Sequence, residues 1–261
     1  MISDFDGDTS GHFNHLGHWD DPAADPLATP RPVAQQRMND VLVGMAGVAD
    51  GAAVLDVGSG LGGTLGSIAR SHTAMRLVGL EVDERQLQLC RAVDAGPGNA
   101  LHWVRGDACS LPFPSQSFDH LLSIEAMWHF PSRRRFLGEA ARVLRPGGGM
   151  AVVDLFITPD APQRMGLSRE ELVRTLEDGF APWPEPGARP QEVLESAAEA
   201  GLECVDQQDA TANTAPTYLD HGDGHERPRS AEFSATEAVQ LFVRMHLEGV
   251  LRIVYLSFRR R

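Results

Sequence analysis

The residues best suited to chemistry follow short apolar runs. Ala53-Val54-Leu55-Asp56-Val57 leads straight into Gly58-Ser59-Gly60-Leu61-Gly62-Gly63. Glycines at that point let the backbone turn sharply and approach a ligand with no Cβ in the way. Two more acids close later runs of the same kind, Glu81 after Met75–Leu80 and Asp107 after His102–Gly106. A carboxylate such as Glu81 can accept two ribose hydroxyls, and Asp107 can accept an exocyclic amine. A further constellation, Ser123-Ile124-Glu125-Ala126-Met127-Trp128-His129-Phe130-Pro131, brings an acid, an aromatic face and an imidazole within five residues. Those groups suit proton transfer near neutral pH. Asp154, at the end of another apolar run, is placed to orient His129 or Glu125.

Alternating strands and helices must position these groups. Residues 53–57, 75–81, 102–105, 118–123 and 150–156 read as strands, because β-branched and apolar residues dominate them. Residues 30–49, the stretch after Gly63, the stretch after Asp83 and 131–144 read as helices, with Asp83 as an N-cap. Arg145-Pro146-Gly147-Gly148-Gly149 reads as a turn. The alternation predicts an α/β fold with a doubly wound, Rossmann-like parallel sheet. Ligands in such sheets bind outside the carboxyl ends of the strands, where all three acids fall. Beyond Thr158 the pattern becomes helix 168–178, a Pro-rich connector 181–187, helix 191–200, strand 202–205, helix 235–248 and strand 251–258. The stretch of about 158–190 is expected to form a small helical cap over the site, within one domain spanning 29–261. Residues 1–28 form an N-terminal arm, either mobile or folded over the ligand as a lid through His18 and Trp19. Residues 220–230 read as a loop.

Composition narrows the function. With 261 residues and a net charge of −13, the chain has room for one substantial domain and is a poor partner for nucleic acid. All 23 basic residues are Arg. Lysine Schiff-base chemistry and a P-loop lysine are therefore excluded. Arg133-Arg134-Arg135 reads as a solvated helix face. The three cysteines are scattered, which argues against a disulfide framework or zinc cluster. His12, His15 and His18 lack metal-ligand spacing, so no metal is expected. No apolar stretch is long enough for a membrane span, and the acidic N-terminus without a leader pattern predicts a cytoplasmic protein.

The glycine turn admits two cofactors. Gly58, Gly60 and Gly63 fit the dinucleotide spacing, with Glu81 beyond them. Asp56 argues for the other, because a carboxylate there suits a ligand with a cationic amino group. S-adenosyl-L-methionine has one, and a sulfonium besides. The stretch resembles motif I of the class I S-adenosylmethionine-dependent methyltransferases, an acid followed by x-Gly-x-Gly-x-Gly. Gly106-Asp107-Ala108-x-x-Leu111-Pro112-Phe113, Ser117-Phe118-Asp119 and Leu144-Arg145-Pro146-Gly147-Gly148 resemble that family's later landmarks. Asp209-Ala210-Thr211-Ala212-Asn213-Thr214-Ala215-Pro216-Thr217 resembles members acting on small molecules. The resemblance implies a seven-stranded sheet whose last strand is antiparallel. It also implies cofactor contacts from Gly58, Gly60, Gly62, Glu81, Val82, Asp107 and Ala108, with Glu81 in place of the commoner Asp. Asp56, Ser59, Gln86 and Ser123 complete the expected set. Gly17-His18-Trp19 resembles the family's Gly-Tyr-Trp lid, with His for Tyr.

Methyl transfer requires an acceptor lone pair or π-bond aligned about 3 Å from the methyl, opposite sulfur. His129 is the first candidate for the base that an O–H acceptor needs, and Glu125 the second. Ile-Glu-Ala followed by His129 also resembles the sterol-type C-methyltransferases, where Glu125 and the face of Trp128 would stabilise a cation. The leading expectation is O-methylation of a small specialised metabolite. C- or N-methylation of an isoprenoid, polyketide or amine stays open, as does a non-methylating cyclase on the same scaffold. A nicotinamide-dependent reductase is disfavoured by Asp56 and by the lack of any Lys for a Tyr-x-x-x-Lys pair. Oligomeric state is not legible, and a homodimer is compatible with everything above.

Overall fold

The computed structural model describes residues 13–23, 28–218 and 237–261. Its centre is β1 (Ala53–Val57), buried along its whole length as a strand covered on both faces must be. The other strands are β2 (Arg76–Glu81), β3 (Ala100–Arg105), β4 (Phe118–Ile124), β5 (Leu144–Ile157), β6 (Leu202–Asp209) and β7 (Leu251–Arg260). They form one seven-stranded sheet in the order β3-β2-β1-β4-β5-β7-β6. Strands β1 to β5 are parallel, and β7 is antiparallel to both neighbours, β5 and β6. This is the expected α/β sheet with an antiparallel last strand.

Helices close both faces. Helices α1 (Arg31–Ala46), α2 (Gly63–Ser71), α6 (Arg169–Gly179) and α9 (Glu237–Leu247) cover one face, contributing Met38, Leu42, Leu65, Ile68, Leu176 and Met245 to its core. Helices α4 (Arg133–Val143) and α7 (Pro190–Glu199) cover the other with Phe136, Leu137, Ala140, Val193 and Ala197. Each large apolar side chain buried this way stabilises the fold by roughly 1.5–3 kcal/mol. Three short helices complete the set: α3 (Glu84–Cys90), α5 (Ala161–Met165) and α8 (Thr211–Thr214). Asp83 caps α3 as expected, its side chain accepting from the Arg85 N–H.

The chain runs outward from β1 to β3, then returns to lay β4 against the other side of β1. Asp56 stands level with Gly79 on one side and Leu122 on the other. Strand order therefore reverses between β1 and β4, and the crevice at their carboxyl ends is the natural ligand site.

Three sequence expectations change. β5 starts at Leu144, not Met150, because Leu144 already pairs with Phe118 of β4 and the Pro-Gly-Gly-Gly run bulges, with Gly147 at φ +78°, before pairing resumes at His120. Arg145 holds that run through Asp119, and a Cβ on Gly149 would collide with the Ala46 carbonyl oxygen. β6 continues to Asp209, its polar and exposed outer half carried by pairing with β7. Arg133 is 3% exposed, so the Arg run does not lie wholly on a solvated face. His12, the 220–230 loop and the first turn expected of the last long helix lie outside the described residues.

Candidate active site

The glycine turn is shaped by sterics. Gly58, Gly60 and Gly62 all have φ between +55° and +82°, a region L side chains rarely adopt. A Cβ on Gly58 would collide with Cβ of Ala126, and one on Gly62 would lie 2.7 Å from the Trp103 ring. The N–H groups of these glycines are not free. Gly58 and Ser59 donate to the Leu80 carbonyl at 2.8 and 3.1 Å, Gly62 donates to Ser59 at 2.9 Å, and Gly60 donates to a Glu81 oxygen at 3.1 Å. The glycines supply conformation and space, and their own hydrogen bonds keep the turn shut against β2.

Two carboxylates sit beneath that turn. Asp56 is 2% exposed. Burial first, and the Glu81 charge second, push its carboxyl up to about 7. Glu81 is also buried, its second oxygen accepting from Val82 and Asp83 N–H at 2.8 and 3.2 Å. Gln86 lies close to Gly60. At the outer edge Val82 is exposed, Ala108 is buried, and Asp107 accepts from the Cys109 N–H at 2.8 Å. Ser123 is fully buried and donates to the Val57 carbonyl at 2.9 Å, fastening β4 to β1 under the site.

On the other side of the crevice, β4 ends in Glu125, a non-glycine residue at φ +54°. Its carboxyl accepts the Leu16 N–H at 3.0 Å, and burial pushes it up to about 7. A short 3-10 turn, Met127–His129, follows. Trp128 donates to the Glu125 carbonyl at 2.9 Å and packs against Trp183 with ring centroids 4.5 Å apart. His129 lies on Trp128 at 3.4 Å between centroids. Its Nδ1 is 3.1 Å from the Pro182 carbonyl, and burial holds its pKa below the ordinary imidazole value. Asp154 does not orient either residue. It is fully buried and bound by Arg133, with Nε to Oδ2 at 2.7 Å and Nη2 to Oδ1 at 3.2 Å. A buried carboxylate needs a charge partner, and Arg133 of α4 supplies it, since Arg145 of β5 pairs with Asp119.

Residues 13–19 thread between α1, the segment after β6 and the end of β4. Gly17 donates to Thr217 Oγ1 at 2.9 Å, and Trp19 donates to the Asn213 carbonyl at 2.9 Å while its own carbonyl accepts from the Asn213 amide at 2.8 Å. His18 Nδ1 lies 3.2 Å from the Tyr255 hydroxyl. The arm thus meets Glu125 through Leu16, Tyr255 through His18 and Asn213 through Trp19, with Trp128 beside Glu125.

Sequence reasoning missed several contributors. Trp103 of β3 stands level with Gly79 and packs over it; the glycine is the faint signal for that ring. Cys90 places its Sγ 3.1 Å from the Gly60 carbonyl, and burial together with Asp56 and Glu81 pushes its thiol up to about 12, so it is a structural group. Tyr255 meets His18 from across almost the whole chain, and Asn213 and Thr217, within the stretch singled out in the sequence, turn out to hold the arm.

The donor set fits an adenosyl sulfonium. Ser59 Oγ is buried with no partner among the described residues. Gly58 forms a cradle that a side chain would fill. Asp56, whose carboxyl burial holds near 7, would ionise on meeting a cationic amino group, and Glu81 beside it offers acceptor oxygens for ribose hydroxyls.

Comparison with known proteins agrees. The family described as a methyltransferase domain matches residues 55–152. Methyltransferase GfsG of Streptomyces halstedii is 32% identical over 210 residues, covering 78% of this chain and 70% of that protein. The 27-O-demethylrifamycin SV methyltransferase of Amycolatopsis mediterranei is 31% identical over 232 residues, covering 88% and 80%. In fold, geranyl diphosphate C-methyltransferase of Streptomyces coelicolor A3(2) superposes with a TM-score of 0.72 at 17% identity, covering 97% of this chain and 95% of that one. Among the described residues no helix is long and apolar enough to cross a membrane. The glycine cradle, its paired acids and these relatives together make the chain a member of the S-adenosyl-L-methionine-dependent methyltransferases that act on small molecules.

Proposed function

We propose that the chain methylates a hydroxyl group of a specialised metabolite, with His129 taking the hydroxyl proton. The observation that carries this is the contact between His129 Nδ1 and the Pro182 carbonyl. A carbonyl only accepts, so Nδ1 carries the ring proton and Nε2 keeps a lone pair. Burial lowers the His129 pKa, which keeps the ring neutral and basic at pH 7. When bound, S-adenosyl-L-methionine supplies a methyl group already made electrophilic by its sulfonium.

The protein's own work is holding, aligning and removing a proton. Asp56 and Glu81 anchor the charged and hydroxyl ends of the cofactor. Glu125 ties down the 13–19 arm, which acts as a lid that keeps water out. Residues 158–190 act as the cap, because Trp183 packs on Trp128 next to His129. Relatives named for O-methylation of natural products, such as the rifamycin enzyme, support the same reading. Methylation at carbon would use the Trp128 face, but His129 and Trp183 already cover it at 3.4 and 4.5 Å.

The test is methyl transfer from labelled S-adenosyl-L-methionine to a panel of hydroxylated polyketides and phenols. Replacement His129→Asn should lower kcat by about 10²–10⁴, with S-adenosylhomocysteine affinity unchanged. An Asn variant with undiminished kcat, or label recovered at carbon, would overturn the reading.

A further inference from the structure

Arg133 opens α4, four residues after His129, and is almost entirely buried. It makes a two-sided grip. Toward β5, its Nε and Nη2 bind Asp154 at 2.7 and 3.2 Å, and Nη2 also reaches the Leu155 carbonyl at 3.3 Å. Toward the Pro-rich connector, its Nη1 donates to the Glu185 carbonyl at 3.2 Å, and its backbone N–H donates to a Glu185 carboxylate oxygen at 3.0 Å. Three residues back in that connector lies Pro182, whose carbonyl holds His129 at 3.1 Å. Between them Trp183, 2% exposed, donates its backbone N–H to the Glu177 carboxylate at 2.9 Å and packs on Trp128. His129 and Arg133 therefore grip the two ends of one short connector segment, 182–185.

We infer that Arg133 is a positioning residue: through Glu185 it fixes the connector that orders the His129 ring and selects its Nδ1–H tautomer. The inference rests on the proposed role of His129. A buried ion pair is weak evidence for stability, because an apolar pair of equal volume would pack as well or better. What the guanidinium adds is direction. It presents donors in a rigid fork, so a single side chain can hold a carboxylate on one side and a carbonyl on the other. A Lys ammonium lacks that geometry. Asp154 thus bears on His129 only at a distance, by orienting the fork that orients the connector.

The experiment uses the full chain labelled with 15N-histidine, with S-adenosylhomocysteine added, and long-range 1H–15N spectra across pH. His129→Asn identifies the His129 signal. Wild type should give an Nδ1–H ring that titrates below the ordinary histidine value. Glu185→Ala, which leaves the Arg133–Asp154 pair intact, should mix the tautomers toward Nε2–H and move the titration toward that ordinary value. Glu185→Gln keeps an acceptor for the Arg133 N–H and should restore the wild-type spectrum. Arg133→Lys should behave like Glu185→Ala. The inference is overturned if Glu185→Ala and Arg133→Lys both leave tautomer and titration unchanged, or if Glu185→Gln fails to restore them. An Nε2–H ring in wild type sinks the base assignment itself, a distinct result.

Discussion

The Glu125 carboxyl accepts the Leu16 N–H at 3.0 Å, joining the carboxyl end of β4 to a segment 109 residues earlier. That bond ties the 13–19 arm to the end of β4 at one point. Glu125→Ala should release it, and the Leu16 amide should exchange at least about tenfold faster, as expected when an opening costs about 1.4 kcal/mol less. Glu125→Gln retains an acceptor oxygen and should exchange like wild type. Equal protection in the Ala variant would show that this bond does not hold the lid.

The second latch begins one residue further along the same arm, where Thr217 Oγ1 accepts from Gly17 and Asn213 embraces Trp19. Thr217→Val with Asn213→Ala removes both side-chain contacts, each worth roughly 0.5–1.5 kcal/mol. The expected outcome is proteolytic cleavage within residues 13–19 at protease levels that spare wild type, with the core Tm nearly unchanged. Simultaneous loss of core Tm would contradict a role confined to the lid.

Asp56 makes stability depend on pH. Its carboxyl is raised from 3.8 to about 7 in the folded chain, so the folded state holds a proton that the unfolded chain has lost between those values. Stability from this group is therefore fullest below the unfolded pKa and is lost as pH rises toward 7. Asp56→Asn should gain stability over wild type progressively from pH 4 to 7, by on the order of 2–4 kcal/mol, then level off. Taking the difference between variants removes the opposite contribution of buried histidines such as His15, lowered to about 4. Urea midpoints at several pH values check this. In wild type, added S-adenosyl-L-methionine should stabilise more as pH rises, because an ionised Asp56 meets its cationic amino group.

Gly58 carries the sharpest steric prediction. Gly58→Ala places a side chain at φ +76° and against Ala126. It should cost roughly 2–4 kcal/mol, or push the turn open and abolish S-adenosylhomocysteine binding by calorimetry. Gly138 lies mid-helix with open space around it. Gly138→Ala is the control, expected to be neutral or slightly stabilising.

The glycine turn and its neighbouring acids were legible because their grammar is local. An acid, three alternating glycines and two later acids at strand ends follow from short-range rules: β-branched residues make strands, and only glycine tolerates the turn. The sheet and its antiparallel last strand came through the resemblance that those motifs carry. Expectations failed wherever a side chain's partner lies far away in sequence. Arg133 reads as one of three surface arginines until β5 is folded against it and Asp154 demands a charge. Asp154 reads as an orienting acid until that same pairing consumes it.

The sequence alone thus determined the fold class and put forward a glycine turn with a short list of acids and imidazoles, since each depends on backbone conformations its own neighbours impose. Only the tertiary structure decided which lone pair His129 keeps, which arm Glu125 fastens and what buries Arg133. Those outcomes depend on contacts between segments up to 237 residues apart, as between His18 and Tyr255, and burial settles charge and tautomer only once such segments have met.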